Sequence, residues 1–139
     1  MSEEGDFDFG DAVDKATFEQ ILDMDEEDER DFSKSIVFGF LEQADTTFAK
    51  MDDAMKDKNL PELSSLGHFL KGSSATLGFT KVKDECEKIQ HYGHKKNETG
   101  EVDEPDEAKC LKMIGESLEE AKKAYKVVEG LMKRFYAES

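Results

Sequence analysis

The sequence has no apolar run approaching the length of a membrane span and no N-terminal apolar segment of the secretory type. A helical membrane protein is thereby excluded, and a soluble chain is expected in the cytoplasm, with the nucleus also open to it. Cysteine is scarce: Cys86 and Cys110 have neither metal-type nor redox-type spacing, and both read as reduced thiols. The two prolines, Pro61 and Pro105, lie outside the interiors of the long periodic stretches, and β-branched residues are sparse. An all-α chain follows. Basic residues are short as well, 19 against 34 acidic ones, for a net charge of -15. Nucleic acid and anionic membrane are poor partners for such a chain, because affinity there comes from Lys and Arg neutralising phosphates. The expected partner is another protein. At 139 residues the chain is one domain's worth, long enough for a single core without metal or disulfides.

What is present organises itself into helices. Residues 1–10 are acidic and contain glycine, with Phe7 and Phe9 as the large apolar groups, so a loose tail is expected there, ahead of a single domain over 11–139. A short helix starting at Asp11 or Asp14 carries Val13, Phe18, Ile21, Leu22 and Met24, more apolar surface than so short a helix needs. The acidic run Asp25 to Asp31 reads as a solvated turn and helix N-terminus; it lacks the glycine and terminal glutamate of a calcium loop. From Phe32 to about Lys56 runs an amphipathic stripe of Phe32, Ile36, Phe40, Ala44, Phe48, Met51 and Met55, widened by Val37 and Leu41. Leu60-Pro61 opens a third helix that should end at Gly78. Thr80 is the expected cap of a fourth, with Val82, Cys86, Ile89 and Gly93 inward. A zinc site from Cys86, His91 and His94 is poorly supported, since Cys86 faces inward and a fourth ligand is missing. Asn97 to Pro105 is a loop whose Asn97-Glu98-Thr99 sequon has no secretory context. The last helix, Asp106 to Tyr136, repeats Leu111, Ile114, Leu118, Ala121, Tyr125, Val128, Met132 and Phe135 at steps of three and four, the pattern of nearly antiparallel bundle helices. The expected fold is a four-helix bundle, up-down-up-down, with an additional short N-terminal helix.

Chemistry concentrates between Gly67 and Gly78, reading G-H-F-L-K-G-S-S-A-T-L-G. At about 100° per residue, Leu63, Leu66, Leu70 and Leu77 share one stripe and His68 lies on the opposite side. Ser64, Ser65, Gly72 and Ala75 surround it at helical-neighbour spacing, and Lys71 stands one turn along. The string is no phosphate-binding P-loop, having neither the Gly-Lys-Ser/Thr ending nor a preceding strand. A serine hydrolase built on His68 with Ser64 or Ser73 lacks an orienting group and an oxyanion hole. These residues suit an imidazole that is itself the nucleophile toward phosphorus. Lys71 then supplies charge for the phosphoryl oxygens. Gly72 costs a helix interior up to about 1 kcal/mol relative to alanine, and what it provides in return is room for the phosphoryl group and its donor.

The run Leu66-Gly-His-Phe-Leu-Lys-Gly-Ser-Ser-Ala-Thr-Leu-Gly78 resembles the signature of histidine-containing phosphotransfer proteins, and Asp31-Phe-Ser-Lys, Gln43-Ala-Asp-Thr-Thr-Phe and Cys86-Glu-Lys-Ile-Gln90 are similar to the fungal phosphorelay intermediates. The likeness covers about Ile21 to Lys96; the Asn97 to Pro105 connection is shorter than in some yeast members. It implies a four-helix bundle that carries phosphoryl groups and is no autonomous enzyme. His68 is by this resemblance the phosphoacceptor, Lys71 its charge support, Gly72 the access point and Gln90 a polar contact near the imidazole. It further implies an apolar surface of Ile21, Leu22, Met24, Phe32 and Phe69 docking receiver domains of a hybrid histidine kinase and of response regulators. No cofactor or metal of its own is implied, Mg²⁺ belonging to the receiver. A monomer, which leaves the histidine face free, is the expected state. A helical adaptor that docks receivers without transfer is the alternative.

Overall fold

The computed structural model describes residues 9–26 and 29–137. Among the described residues five helices follow in order: α1, Lys15–Leu22; α2, Asp31–Lys56; α3, Leu60–Leu77; α4, Thr80–Gly93; and α5, Glu107–Ala137. The four long ones form an all-α bundle with α1 laid across one end. Among the described residues the only strand-like pairing is an isolated bridge between Lys96 and Asp103. No helix among them is long and apolar enough to cross a membrane.

The apolar stripes land where their periodicity puts them. Val37, Phe40, Leu41, Ala44, Phe48 and Met51 of α2, Val82, Cys86 and Ile89 of α4, and Ile114, Leu118, Ala121, Tyr125, Val128, Met132 and Phe135 of α5 are all buried. One member of the expected α2 stripe departs: Phe32, in the first turn, stays 46% exposed.

The N-terminal end is built on aromatics. Phe18 of α1 meets Phe135 of α5 edge-on at 5.7 Å and Phe79 at 6.4 Å, and Phe79 meets Phe40 of α2 at 5.1 Å. Phe9 joins them, 5.4 Å from both Phe18 and Phe135 and only 4% exposed. The tail expected over residues 1–10 is therefore corrected at its end, since burying a phenylalanine ring against those of Phe18 and Phe135 outweighs the acidic surroundings that made Phe9 look solvated. Residues 1–8 lie outside the described residues.

The ends of α3 follow local chemistry, and the start of α4 does not. Asn59 caps α3 through Glu62 N–H at 3.2 Å, and Gly78 ends it in the left-handed region at φ 80°. A side chain at Gly78 would also meet Asp14 O at 2.8 Å, because Asp14 N–H donates to Gly78 O and ties α1 to the α3–α4 corner. The cap of α4 is Phe79, not Thr80. Burial of the Phe79 ring fixes the chain one residue earlier, and the Thr80 hydroxyl donates instead to Asp11 O at 3.5 Å.

The acidic run is more than a solvated turn. Asp25 accepts from the Ser33 backbone N–H at 2.7 Å and from the Ser33 hydroxyl at 2.6 Å, while Tyr136 O–H of α5 donates to the same Ser33 oxygen at 2.8 Å. Ser33 is fully buried in the first turn of α2. Asp25 thus satisfies an N–H that the helix cannot, and pins the connection carrying Met24. Asp25→Ala should lower stability by about 1–3 kcal/mol, the cost of stranding a buried donor. Urea denaturation checks this, and an unchanged midpoint would remove Asp25 from the capping role. Glu27 and Asp28 of the run lie outside the described residues.

Candidate functional site

The site is a strip of α3 and the face of α4 packed beside it. These two helices approach closely because glycine stands at two crossing points. A Cβ on Gly67 would sit 2.8 Å from Cys86 O, 3.0 Å from Gln90 N and 3.2 Å from Ile89 Cγ2. One on Gly93 would sit 2.7 Å from both Ser64 Cβ and Ser64 N. The residue before His68 is therefore pressed against α4 backbone, and the next residue turns outward.

His68 is exposed, on the side opposite buried Leu63, Leu66, Leu70 and Leu77, as its position on the helix required. Ser65, Gly72 and Ala75 are exposed around it. A Cβ built on Gly72 meets nothing within 4 Å, so no packing demand explains that glycine. Ser64 corrects the expected surround: it is 3% exposed, and its hydroxyl donates to Gln90 O at 2.9 Å. Its small size serves the approach of Gly93 and leaves no room at the surface.

The hydroxyls of the string turn back on their own helix. Ser73 donates to Phe69 O at 3.3 Å, Ser74 to Leu70 O at 2.7 Å and Thr76 to Gly72 O at 3.0 Å. With Ser64 committed to α4, neither serine considered as a nucleophile has its proton directed at the imidazole.

Two groups on α4 complete the surroundings. Lys71 Nζ lies 3.6 Å from Glu87 Oε2, both side chains partly exposed. Gln90 stands level with Gly67, and its Oε1 is buried without a hydrogen-bond partner among the described residues. A buried acceptor left unpaired costs about 1–3 kcal/mol.

The expected docking residues divide. Met24 is 61% exposed and Phe32 and Phe69 are each 46% exposed, large apolar groups with no intramolecular reason to face water. Ile21 and Leu22 are 8% and 6% exposed. They belong to the core, because a helix of eight residues can be held to the bundle only by its apolar face, and the surplus surface of α1 is reduced to Met24 just beyond it.

The zinc reading fails on geometry. Cys86 is fully buried, and burial followed by the charge of Glu85 pushes its thiol up to about 12. His91 Nδ1–H donates to Glu98 O at 2.8 Å, with Gly100 packed on its ring. Among the described residues no three metal-ligating side chains are grouped. Asn97, the sequon asparagine, is spent on the loop: its Oδ1 accepts from Glu101 N–H at 3.1 Å and Val102 N–H at 3.3 Å.

Glu87, the Asp25–Ser33 pair and the close helix approach at Gly67 and Gly93 were not read from sequence, although Gly93 was placed on the inward stripe. A small-residue spacing of Ser64 and Gly67 facing Gly93 was the available signal for the close approach. Nothing local pairs Lys71 with Glu87, sixteen positions away.

Comparison with known proteins bears on this arrangement. The sequence model of the Hpt domain matches residues 36–124. Multistep phosphorelay regulator 1 of Schizosaccharomyces pombe is 46% identical over 124 residues, covering 89% of this chain and 42% of that protein. Phosphorelay intermediate protein YPD1 of Candida albicans is 56% identical over 85 residues, covering 61% of this chain and 46% of that protein. The chain thus spans less than half the length of these curated relatives. Among solved structures, Saccharomyces cerevisiae Ypd1 in co-crystal with the receiver domain of its downstream response regulator Ssk1 superposes with a TM-score of 0.77 at 29% identity, covering 94% of this chain and 98% of that one.

Proposed function

This chain belongs to the Hpt domain family, and from that premise we propose that it is the phosphorelay intermediate between two receiver domains. His68 takes a phosphoryl group from the phosphorylated aspartate of a hybrid sensor histidine kinase and passes it to the aspartate of a downstream response regulator. The observation that carries this reading is an exposed imidazole beside a helix-interior glycine that no packing contact explains.

In the forward step the lone pair of an unprotonated ring nitrogen forms the N–P bond as the aspartyl O–P bond breaks. The carboxylate leaves with the bonding pair, and the proton on the other ring nitrogen stays. That nitrogen then belongs to a positively charged ring, and Gln90 Oε1, buried and unpartnered, suits its N–H. Lys71 offers its ammonium to the phosphoryl oxygens, where electrostatics does most of the work. The receiver contributes its acidic pocket and Mg²⁺, so this chain acts as a carrier with no cofactor of its own and not as an autonomous enzyme.

The co-crystallised yeast relative supports a receiver domain as the partner class. Met24, Phe32 and Phe69 form the docking surface, with Ile21 and Leu22 anchoring α1 behind it. The chain works as a monomer in the cytoplasm, with access to the nucleus; the net charge of -15 disfavours nucleic acid and anionic membrane as partners. Incubation with a phosphorylated receiver domain tests the proposal: label should move to this chain and be labile in acid and stable in base, as phosphohistidine is. Receiver binding without label would make it an adaptor. For the docking surface, Met24→Asp should weaken receiver affinity on the order of tenfold, with helicity by circular dichroism unchanged. Unaltered affinity would take Met24 out of the interface.

A further inference from the structure

The Lys71–Glu87 pair sets a cation and an anion beside the same histidine. Lys71 stands one helical turn from His68 on α3, and Glu87 reaches it from α4 at 3.6 Å. Among the described residues neither has another charged partner: the neighbouring Lys83 pairs with Asp84, and Lys88 with Glu85 and Glu98. The Lys71 side chain is 27% exposed and that of Glu87 is 47% exposed, so the carboxylate can leave the ammonium at little desolvation cost. A phosphoryl group on His68 brings two negative charges toward an ammonium that already has a counter-ion.

We infer that Glu87 is a positioning residue that competes with the phosphoryl group for Lys71, and so lowers the stability of phosphorylated His68 and favours passing the group on. The inference rests on the carrier reading above and deepens it. In the resting protein Glu87 holds the lysine along α4. On phosphorylation the lysine turns to the phosphoryl oxygens, and Glu87 is left as an unpaired anion close to a dianion. Both effects act against the phosphorylated state, which keeps the carrier a transient stop and no reservoir.

Phosphoramidate tests this without any partner protein. The lone pair of a His68 ring nitrogen forms the N–P bond as the P–N bond of phosphoramidate breaks. Its amino group, protonated in the zwitterion, departs as ammonia with the bonding pair. At fixed phosphoramidate and ammonia concentrations and low salt, ³¹P NMR reads the ratio of phosphorylated to free protein. Glu87→Gln should raise that ratio roughly two- to five-fold, the span of a partly exposed ion pair, and the gain should shrink as salt screens the charges. In a Lys71→Gln background the same substitution should produce less of that gain, because the object of competition is gone. A purely structural bridge would shift the melting temperature of Glu87→Gln and leave the ratio alone, which would overturn the inference. An equal gain with and without Lys71 would overturn it too. Failure of the wild-type chain to take phosphoryl on His68 would bring down the carrier reading, whereas normal labelling with no response to Glu87→Gln would bring down this inference alone.

Discussion

His68→Gln should abolish phosphoryl acceptance while leaving the fold intact. Glutamine fills a similar volume and is at least as good a helix former, and the site is exposed on the outer face of α3. A substitution there should move stability by no more than about 0.5 kcal/mol. What disappears is the ring lone pair, and no neighbour can replace it: Ser64 donates to Gln90 O, and Ser73 to Phe69 O, on bonds that serve the helices. The His91 ring is no substitute nucleophile, being held by the Glu98 carbonyl and Gly100. The measurement is radiolabel transfer from a phosphorylated receiver domain, read beside a thermal melt. The variant should melt with the wild type, still bind the receiver and carry no acid-labile label. Label retained on the variant would remove His68 from the acceptor role.

The bundle was legible in the sequence because its helices are long and strictly periodic, and burial follows period when nothing local competes. The outward direction of His68 came from the same source, as the complement of four leucines. The misreadings share a cause. Phe9 was assigned by its acidic neighbours, yet the rings of Phe18 and of Phe135, at the other end of the chain, pack against it. Ile21 and Leu22 were placed on a docking surface by the resemblance, and in the free chain both are buried, because a short helix needs that surface to stay attached. Ser64 looked like open space because a helical wheel shows which residues are neighbours and not which neighbour another helix covers. Glu87 and the bond from Asp25 to Ser33 are long-range or loop-borne contacts, and no periodicity encodes them. What the residues themselves showed of the site was therefore one helix's share, the exposed histidine, lysine and open glycine; of α4 the resemblance supplied Gln90, while Glu87 needed the packing of two helices to appear.

Two glycines five residues apart on α3 should respond in opposite ways, and the contrast separates room for folding from room for a partner. Gly67→Ala places a methyl 2.8 Å from Cys86 O and 3.0 Å from Gln90 N, backbone atoms that cannot yield without moving α4. Stability should fall by about 1–3 kcal/mol, as overpacked interiors do. Gly72→Ala meets nothing within 4 Å and removes a flexible residue from a helix interior. It should gain up to about 1 kcal/mol. Gly72→Gln should keep that improved helix while standing a long side chain where the phosphoryl donor must come within bonding distance of the imidazole. Because displacing reacting groups by about 1 Å can cost on the order of 100-fold in rate, transfer from a receiver should slow by about that factor in this variant. Stopped transfer assays and urea denaturation of the three proteins give both axes. A Gly72→Gln protein that loses stability in step with its transfer rate would make Gly72 a folding residue, and its absence of side chain would then have nothing to do with access. With Gly67→Ala losing stability and Gly72→Gln losing transfer alone, the glycine beside the histidine is kept for a surface that exists only when the receiver is docked, which is why the free bundle offers no packing reason for it.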